Sequence, residues 1–387
     1  QAGNANTIEA ASLRNSGKLI AVTGTATLHV AGTLSNTGSV RAAQDIAVAG
    51  RDGAAVQVLT NSGDLLAARA MDLNAAVLSN QAGGWIQAAT GSVVRAGALD
   101  NSGTWLLSQQ AGAADRMEIG GTLLNSGVMQ SAGDAAITAG AIDNRHAIAA
   151  AGNLGATTSG GIQNANGAVM QAGQTLSLAS GGAFGNAAGG TLAGANVALS
   201  SAQGLDNAGV VDATSGSAVV RADGTIANSG TIHAGTSLDI ADRSGGATEV
   251  LDNSGKLLSD GSLALAAGTA RNQATGWIQA AGGSRVDAGS LDNAGTWLLS
   301  TQSGAAPSQV NVAGLLANHG TLQAREDATL NANRLDNQSG ALLRAGGRLQ
   351  ANVGAADGLD NAGTMQAGST LGISGTGSKL ANAGLML

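Results

Sequence analysis

The sequence predicts an all-β protein, a right-handed parallel β-helix of about 18 coils with roughly 21 residues in each coil. A short tag recurs along the whole chain, the residues between tags alternate between apolar and polar, and the composition suits a thin aliphatic core. Residues 1–387 are predicted to form a single continuous shaft of repeats. The chain begins with Gln and both ends stop in mid-repeat, so we expect a fragment of a larger protein.

The tag is an apolar residue, a variable residue, Asn, and then small residues that end in Gly, as in Leu99–Gly103 and Leu205–Gly209. Two residues before the Asn, 17 of 18 units carry Leu, Ile or Phe, and Ala270 is the exception. The intervals between tag asparagines range from 19 to 25 residues. The tag asparagines are Asn15, Asn36, Asn61, Asn80, Asn101, Asn125, Asn144, Asn164, Asn186, Asn207, Asn228, Asn253, Asn272, Asn293, Asn318, Asn337, Asn361 and Asn382.

The spacing between tags favours strands over helices. Alternation with a period of two, as in Ser237–Ala241, is the pattern of a strand. Helical repeats need about 33 to 47 residues and propeller blades about 40 to 50, so a unit of about 21 residues is too short for either. A unit this small buries its apolar face only by stacking on identical neighbours, with parallel pairing between coils. The right hand is expected from the crossover rule for parallel strands.

A longer repeat overlies the short one, and it relates residues 15–144 approximately to residues 207–336. The first five tag asparagines recur with a displacement of 192 residues. Gly84–Ala89 matches Gly276–Ala281 in the same way. Duplication of a block of about nine units explains this similarity without a second type of domain.

The tag asparagines are predicted to form a ladder inside the fold. The apolar residue at minus two and the Asn lie on the same side of a strand, so the Asn side chain should point inward. Stacked amides would then pair from coil to coil, since buried amides need partners. The alternative is that Asn serves only the turn, with Gly supplying positive φ.

The tryptophans allow two interpretations. A row of aromatic side chains could form a platform for sugars, but other units hold Leu, Val, Ile or Met where these tryptophans stand. We therefore predict that they fill the core and stack on adjacent coils. These predicted core residues are Trp85, Trp105, Trp277 and Trp297.

Composition and spacing favour no catalytic, metal or cofactor site. There is no Cys, the four His lie in different units, and Asp beside the tag falls on adjacent coils only at Asp336 and Asp360. No acid–base pair of carboxylates stands out, and a net charge of −7 disfavours nucleic acid. No apolar stretch reaches about 18 residues, so no membrane insertion is expected.

The tandem units resemble the repeats of filamentous haemagglutinins. The resemblance, which covers essentially the whole chain, is carried by units such as Leu-Asp-Asn-Ser-Gly-Thr-Trp-Leu-Leu-Ser at 99–108 and Leu-Asp-Asn-Ala-Gly-Thr-Met-Gln-Ala at 359–367. Such repeats occur in large exoproteins of two-partner secretion systems, both adhesins and contact-dependent growth-inhibition toxins. The resemblance implies a secreted or surface protein of a Gram-negative bacterium, exported through an outer-membrane partner transporter.

The leading functional hypothesis is structural: a rigid shaft that projects a distal adhesive or toxin domain, with target-cell receptors bound by regions outside this segment. One alternative is that the shaft itself binds a host receptor or glycan. A polysaccharide-degrading β-helix enzyme is a third hypothesis, which would need carboxylates gathered in a groove.

Overall fold

A computed structural model of the protein describes residues 5–354, 358–375 and 379–387. The chain divides into two compact units, residues 1–194 and residues 195–387. Each unit is a parallel β-solenoid of nine turns, and Arg51–Gly53 forms one short 3-10 turn. The prediction of an all-β parallel solenoid with about 21 residues per turn is confirmed, while the right hand stays a prediction.

Each turn of the solenoid has three strand positions. The Asn strand ends on the tag Asn, the return strand follows the corner, and the third strand leads to the next Asn strand. In four turns of each unit the third strand and the Asn strand form one long strand, as in Ala70–Asn80. Alternation of inward and outward side chains therefore continues along most of each turn.

The first unit contains 23 strands within the described residues. They are β1 Asn6–Ala10, β2 Leu13–Asn15, β3 Lys18–Ala21, β4 Ala26–Val30, β5 Thr33–Asn36, β6 Ser39–Ala42, β7 Ile46–Ala49, β8 Val56–Asn61, β9 Asp64–Ala67, β10 Ala70–Asn80, β11 Trp85–Ala88, β12 Gly91–Asn101, β13 Thr104–Ser108, β14 Ala114–Asn125, β15 Val128–Ser131, β16 Asp134–Asn144, β17 Ala147–Ala150, β18 Leu154–Thr158, β19 Ile162–Asn164, β20 Val169–Ala172, β21 Thr175–Ser180, β22 Phe184–Asn186 and β23 Thr191–Gly194.

The second unit also contains 23 strands in the part of the chain that the structure describes. They are β24 Asn196–Ser201, β25 Leu205–Asn207, β26 Val210–Ala213, β27 Ala218–Ala222, β28 Thr225–Asn228, β29 Thr231–Ala234, β30 Ser237–Ala241, β31 Thr248–Asn253, β32 Lys256–Ser259, β33 Ser262–Asn272, β34 Trp277–Ala280, β35 Gly283–Asn293, β36 Thr296–Ser300, β37 Ser308–Asn318, β38 Thr321–Ala324, β39 Ala328–Asn337, β40 Leu342–Ala345, β41 Arg348–Val353, β42 Leu359–Asn361, β43 Thr364–Ala367, β44 Thr370–Ser374, β45 Leu380–Asn382 and β46 Leu385–Met386.

Strands pair in parallel with their equivalents one turn away. Between β10 and β12, Leu78 lies opposite Leu99 and Asn80 opposite Asn101. Turns of different length keep this register through local irregularities, such as the shift between Ala96 and Leu99 in the pairing of β12 with β14. Equivalent residues of successive turns therefore form continuous columns within a unit.

The core is a column of single aliphatic side chains rather than a wide globular interior. On the return strands, Leu65 and Ile86 are fully buried and in register with each other. The apolar residue two before the tag Asn is also buried in 16 of the 18 turns, as at Leu99 and Leu123, with Leu13 half-buried and Leu380 exposed. Narrow inward positions hold Ala or Ser, which explains why few aromatic side chains are needed.

The longer repeat is visible in the strand boundaries. Ala70–Asn80 and Ser262–Asn272 are displaced by 192 residues at both ends, and so are Thr104–Ser108 and Thr296–Ser300. The two copies therefore offer the same local geometry with different side chains at some positions.

Candidate functional site

The tag asparagines point inward and form a ladder in each unit. Each link joins an Asn Nδ2, as donor, to the Oδ1 of the tag Asn on the next turn, over 2.7 to 2.9 Å. The described links run from Asn15 to Asn186 in the first unit and from Asn207 to Asn382 in the second. The amides thus form the arrangement that strand parity predicts.

Many of these amides also donate to a backbone carbonyl of the corner or of the return strand. Asn125 Nδ2 also donates to the carbonyl oxygen of Ala147 at 3.0 Å, and Asn36 Nδ2 donates to that of Asp64 at 2.9 Å. Asn36 and Asn125 are fully buried. Because one side chain bonds both to the neighbouring amide and to backbone, each such Asn fixes the corner and the spacing of turns together.

Positive φ, which the sequence predicts for the corner glycines, is found in long corners, at Gly83, Gly167, Gly189 and Gly340, whereas the glycine of the short corners serves close approach. Gly38, Gly63 and Gly127 follow two residues after a tag Asn and are absent from the glycines with positive φ. A Cβ on Gly127 would lie 2.1 Å from the carbonyl oxygen of Gly103 one turn earlier. At Gly127 the stacked backbone therefore leaves no room for a side chain, although the turn after Asn144 holds His146 at the equivalent position.

Five turns have a longer corner, and this difference decides where the tryptophans point. After Asn80 the backbone makes an additional turn, in which Gly84 N donates to Gln81 O over 2.8 Å. The buried, inward-facing residue of the return strand is then Ile86, six residues after Asn80. Trp85, five residues after Asn80, faces outward. The other long corners follow Asn164, Asn186, Asn272 and Asn337.

Two of the four tryptophans therefore lie outside the core, contrary to the sequence prediction. Trp105 and Trp297 are fully buried, whereas Trp85 and Trp277 are 40% and 39% exposed. Trp105 lies in register with Ile86, and Trp85 lies in register with Thr104. The predicted stacking of core tryptophans on adjacent turns is thus wrong, because the two residues of each pair lie on opposite sides of the sheet.

Each outward Trp belongs to a small patch on the outer face of the return strands. In the first unit this patch comprises Trp85, Gln87, Leu66, Thr104 and Leu106. Trp85 Nε1 donates to Gln87 Oε1 over 3.0 Å, and Gln87 lies in register with Leu66 on one side and Leu106 on the other. The patch combines an aromatic face, two aliphatic side chains and an amide.

The second unit carries the same patch 192 residues later. Trp277 Nε1 donates to Gln279 Oε1 over 3.2 Å, and Gln279 lies in register with Leu258 and Leu298. The residue in register with Trp277 on the following strand is Thr296. We call these two sets of five residues the Trp85 patch and the Trp277 patch.

A histidine links three consecutive turns on the same outer face of the second unit. His233 Nδ1 lies 2.8 Å from Asp212 Oδ1, and His233 Nε2 lies 3.2 Å from Asp260 Oδ2. Partial burial lowers the pKa of His233, but its hydrogen bonds to the two carboxylates and their charges outweigh that effect, so the pKa lies above its usual value. Sequence spacing did not reveal this cluster because the three residues lie on different turns.

A groove of about 830 Å³ in the second unit has a wall of outward amides. Asn331 Nδ2 donates to Asn311 Oδ1, and Asn352 Nδ2 donates to Asn331 Oδ1, each over 2.7 Å. Asn311 Nδ2 donates to Asp287 Oδ1, also over 2.7 Å, and Arg285 Nε donates to Asp287 Oδ2. Asp287 is the only carboxylate among the described residues that line the groove, and both of its oxygens accept hydrogen bonds from neighbouring side chains.

The first unit contains a buried carboxylate that the sequence did not single out. Asp115 is 2% exposed and accepts hydrogen bonds from Ser92 N and Ser108 Oγ, both over 2.7 Å. The second copy of the duplication has Ser308 in the corresponding place, where Ser308 Oγ accepts from Ser284 N over 3.2 Å. The comparison of the two copies is the signal that points to this residue.

Metal ligands are not grouped within the described residues. No cluster of three or more His, Asp and Glu side chains there has the geometry to hold a metal ion. Asp336 and Asp360 do lie in register on adjacent turns, as their sequence positions indicated. The described residues also contain no helix with the length and hydropathy of a membrane span.

The model of the haemagglutinin repeat matches residues 1–68, 54–127, 232–306, 305–353 and 344–386. These ranges cover most of the chain. The chain belongs to the haemagglutinin-repeat family. The family expected from the sequence is therefore confirmed.

Among proteins with an assigned function, the chain is similar to a deoxyribonuclease CdiA of Dickeya dadantii (strain 3937). The two are 37% identical over 151 residues, which is 32% of this chain and 4% of that protein. The alignment thus spans only a small part of that relative. No solved structure matches the chain.

Proposed function

We propose that this chain is a rigid shaft segment of a large secreted or cell-surface exoprotein, which presents a distal adhesive or toxin domain to other cells. The observation that carries the proposal is the unbroken column of tag asparagines and aliphatic residues in each unit. Regular turns joined by short corners form a stiff structure, because every turn is bonded to its neighbours along three strands.

Family membership supports the export route. A parallel solenoid with no Cys folds from local, repeating contacts, so it suits a chain that folds only after export. We propose an outer-membrane transporter of the two-partner secretion type as the export partner. Receptors on the target cell would be bound by other regions of the parent protein, and the surface of a Gram-negative bacterium is the proposed location.

The longer repeat offers a direct test of the shaft. Deleting residues 15–206 from the parent protein joins Arg14 to Asn207 and keeps the tag intact. Nine turns are lost, so we expect a filament shorter by about 43 Å, at ~4.8 Å per turn, that is still exported. Negative-stain microscopy of surface filaments would measure the length, and an adhesion or target-cell killing assay would measure the reduced reach.

A control deletion of residues 15–196 removes nearly the same length but joins Arg14 to Val197 and misaligns the strands. It should reduce export or yield misfolded filament. Adhesion or killing that vanishes after the in-register deletion, although the shorter filament is displayed normally, would contradict a role limited to length.

A second function, in which the shaft itself binds a ligand, is favoured by one observation. Trp85 and Trp277 lie on the surface, although a core position was predicted for both. A polysaccharide-degrading enzyme has less support, because Asp287, the carboxylate that lines the groove, is bonded to Arg285 and Asn311.

A further inference from the structure

The Trp85 patch and the Trp277 patch share one geometry, in which a hydrogen bond holds the indole ring in place. In both, the indole is about 40% exposed and its N–H donates to the Gln two residues later on the same strand. Gln87 Nε2 also donates to Gln109 Oε1 over 3.1 Å, which fixes that amide from the next turn. A side chain held in this way offers a flat aromatic surface in a defined orientation.

The hydrogen bond of the indole determines what can bind there. Because the N–H is already satisfied within the strand, an arriving ligand meets the face of the ring and not a polar edge. The ring face carries partial negative charge and favours polarised C–H groups as well as apolar contacts. Around it lie Thr104, whose side chain is half-buried, and the amide of Gln87, which can bond to hydroxyl groups.

The charges next to the two patches differ in sign. Asp64 lies in register with Trp85 on the preceding strand, whereas Lys256 occupies that place beside Trp277. Asp64 is paired with Arg41 at 3.4 Å, so an anionic ligand would find a favourable charge only beside Trp277. The features that both patches share are neutral, so a neutral ligand fits both.

We propose that Trp85 and Trp277 are each the stacking surface of a binding site for neutral carbohydrate. The apolar C–H face of a pyranose ring would pack on the indole, Leu66 or Leu258 would extend the apolar contact, and the Gln and Thr side chains would bond to ring hydroxyls. This role is additional to that of the shaft, and the 387-residue chain alone can test it.

A second copy of the chain is a less suitable occupant. A stable protein interface buries about 800 Å² on each partner and needs a contiguous apolar centre. Each patch offers one half-exposed indole and two half-buried leucines, separated by an amide and bordered by a charged residue. An area of that size is sufficient for one or two sugar rings.

The test is a calorimetric titration of the 387-residue chain with cellohexaose, chitohexaose and maltohexaose, with a heparin hexasaccharide as the charged comparison. We expect at least one neutral hexasaccharide to bind with a Kd on the order of 1 mM. The W85T/W277T double variant should weaken binding at least tenfold, and each single variant should halve the number of sites. Thr is a conservative choice, since Thr104 and Thr296 stand at the same place one turn later.

Two further variants separate recognition from folding. W85F/W277F keeps an aromatic face and should bind within about threefold of the unchanged chain. V210T changes an equally exposed residue at the same register position of another return strand, and should have no effect. Circular dichroism of every variant should match that of the unchanged chain.

Several results would overturn the proposal. These are no binding of any neutral hexasaccharide at about 10 mM, equal binding by W85T/W277T, or binding of heparin alone. Concentration-dependent self-association that W85T/W277T abolishes would instead assign the patches to contacts between copies. None of these results bears on filament length, so a failure here is distinguishable from a failure of the shaft.

Discussion

At the scale of single residues, the asparagine ladder is the contact whose loss should cost most. Asn125→Ala removes the acceptor of Asn101 Nδ2, the donor to Asn144 Oδ1 and a bond to the carbonyl of Ala147. The amide oxygen of Asn144 and one N–H of Asn101 each lose a buried hydrogen-bond partner, so we expect a loss of about 2–4 kcal/mol in the free energy of unfolding. Urea denaturation would measure it, and the exposed Asn166→Ala should change stability by less than about 0.5 kcal/mol. Equal effects of the two substitutions would show that the ladder contributes little.

The buried Asp115 has a natural replacement in the second copy of the duplication. Asp115→Ser places there the residue found at 308, and a hydroxyl can still accept from the backbone N–H of Ser92. Asp115→Ala leaves the Ser92 N–H and the Ser108 hydroxyl without that acceptor. We expect a cost of about 1–3 kcal/mol for Ala and less than about 1 kcal/mol for Ser, measured as shifts of the urea midpoint. A Ser variant as unstable as the Ala variant would contradict this account.

The cluster around His233 should make stability depend on pH. The pKa of His233 is higher in the folded chain than in the unfolded chain, because the carboxylates of Asp212 and Asp260 favour its charged form. The stabilisation is therefore complete below the unfolded pKa, about 6.5, and is lost as the pH rises through the folded pKa. His233→Gln should remove this dependence, whereas His146→Gln, at an exposed His, should leave it. The free energy of unfolding at pH values from 5.5 to 8.5 would show the difference, which should be small because the cluster is largely solvated.

At the scale of the corner, Gly127 occupies a position with no space for a side chain. Gly127→Ala would place a Cβ 2.1 Å from the carbonyl oxygen of Gly103, so the stacked corners must separate. We expect a loss of about 1–3 kcal/mol, comparable with overpacking of a core. Gly155→Ala is the control, because nothing lies within 4 Å of a Cβ there and the backbone φ is not positive. Urea denaturation of both variants would test the contrast, and similar midpoints would refute it.

The same corners explain how far the sequence could predict the structure. The tag Asn and the apolar residue before it, such as Asn101 and Leu99, share one geometry in every turn, so strand parity was sufficient to predict their inward direction. The position of Trp85 depends on the additional turn between Gln81 and Gly84, which moves the inward position by two residues. Counting residues after the Asn does not reveal this additional turn.

The cluster of Asp212, His233 and Asp260 was also missed, because only the stacking of turns brings these residues together.

At the scale of the whole molecule, a solenoid has no unique centre, and whole turns are its natural units of change. Deleting residues 81–101 removes one complete turn and joins Asn80 to Ser102, so Asn80 is followed in the ladder of the first unit by Asn125. Because stability in such an array is approximately a sum over turns and their interfaces, we expect a folded chain with unchanged circular dichroism per residue and a slightly smaller m value.

Deleting only residues 81–90 joins Asn80 to Gly91 and leaves a turn without its corner and return strand. That shorter deletion should lower the urea midpoint much more than the longer one, since the ladder is interrupted and outward side chains are carried into the core. If the 21-residue deletion is the more damaging of the two, stability depends on the number of residues and not on complete turns, and the modular account of this fold is wrong.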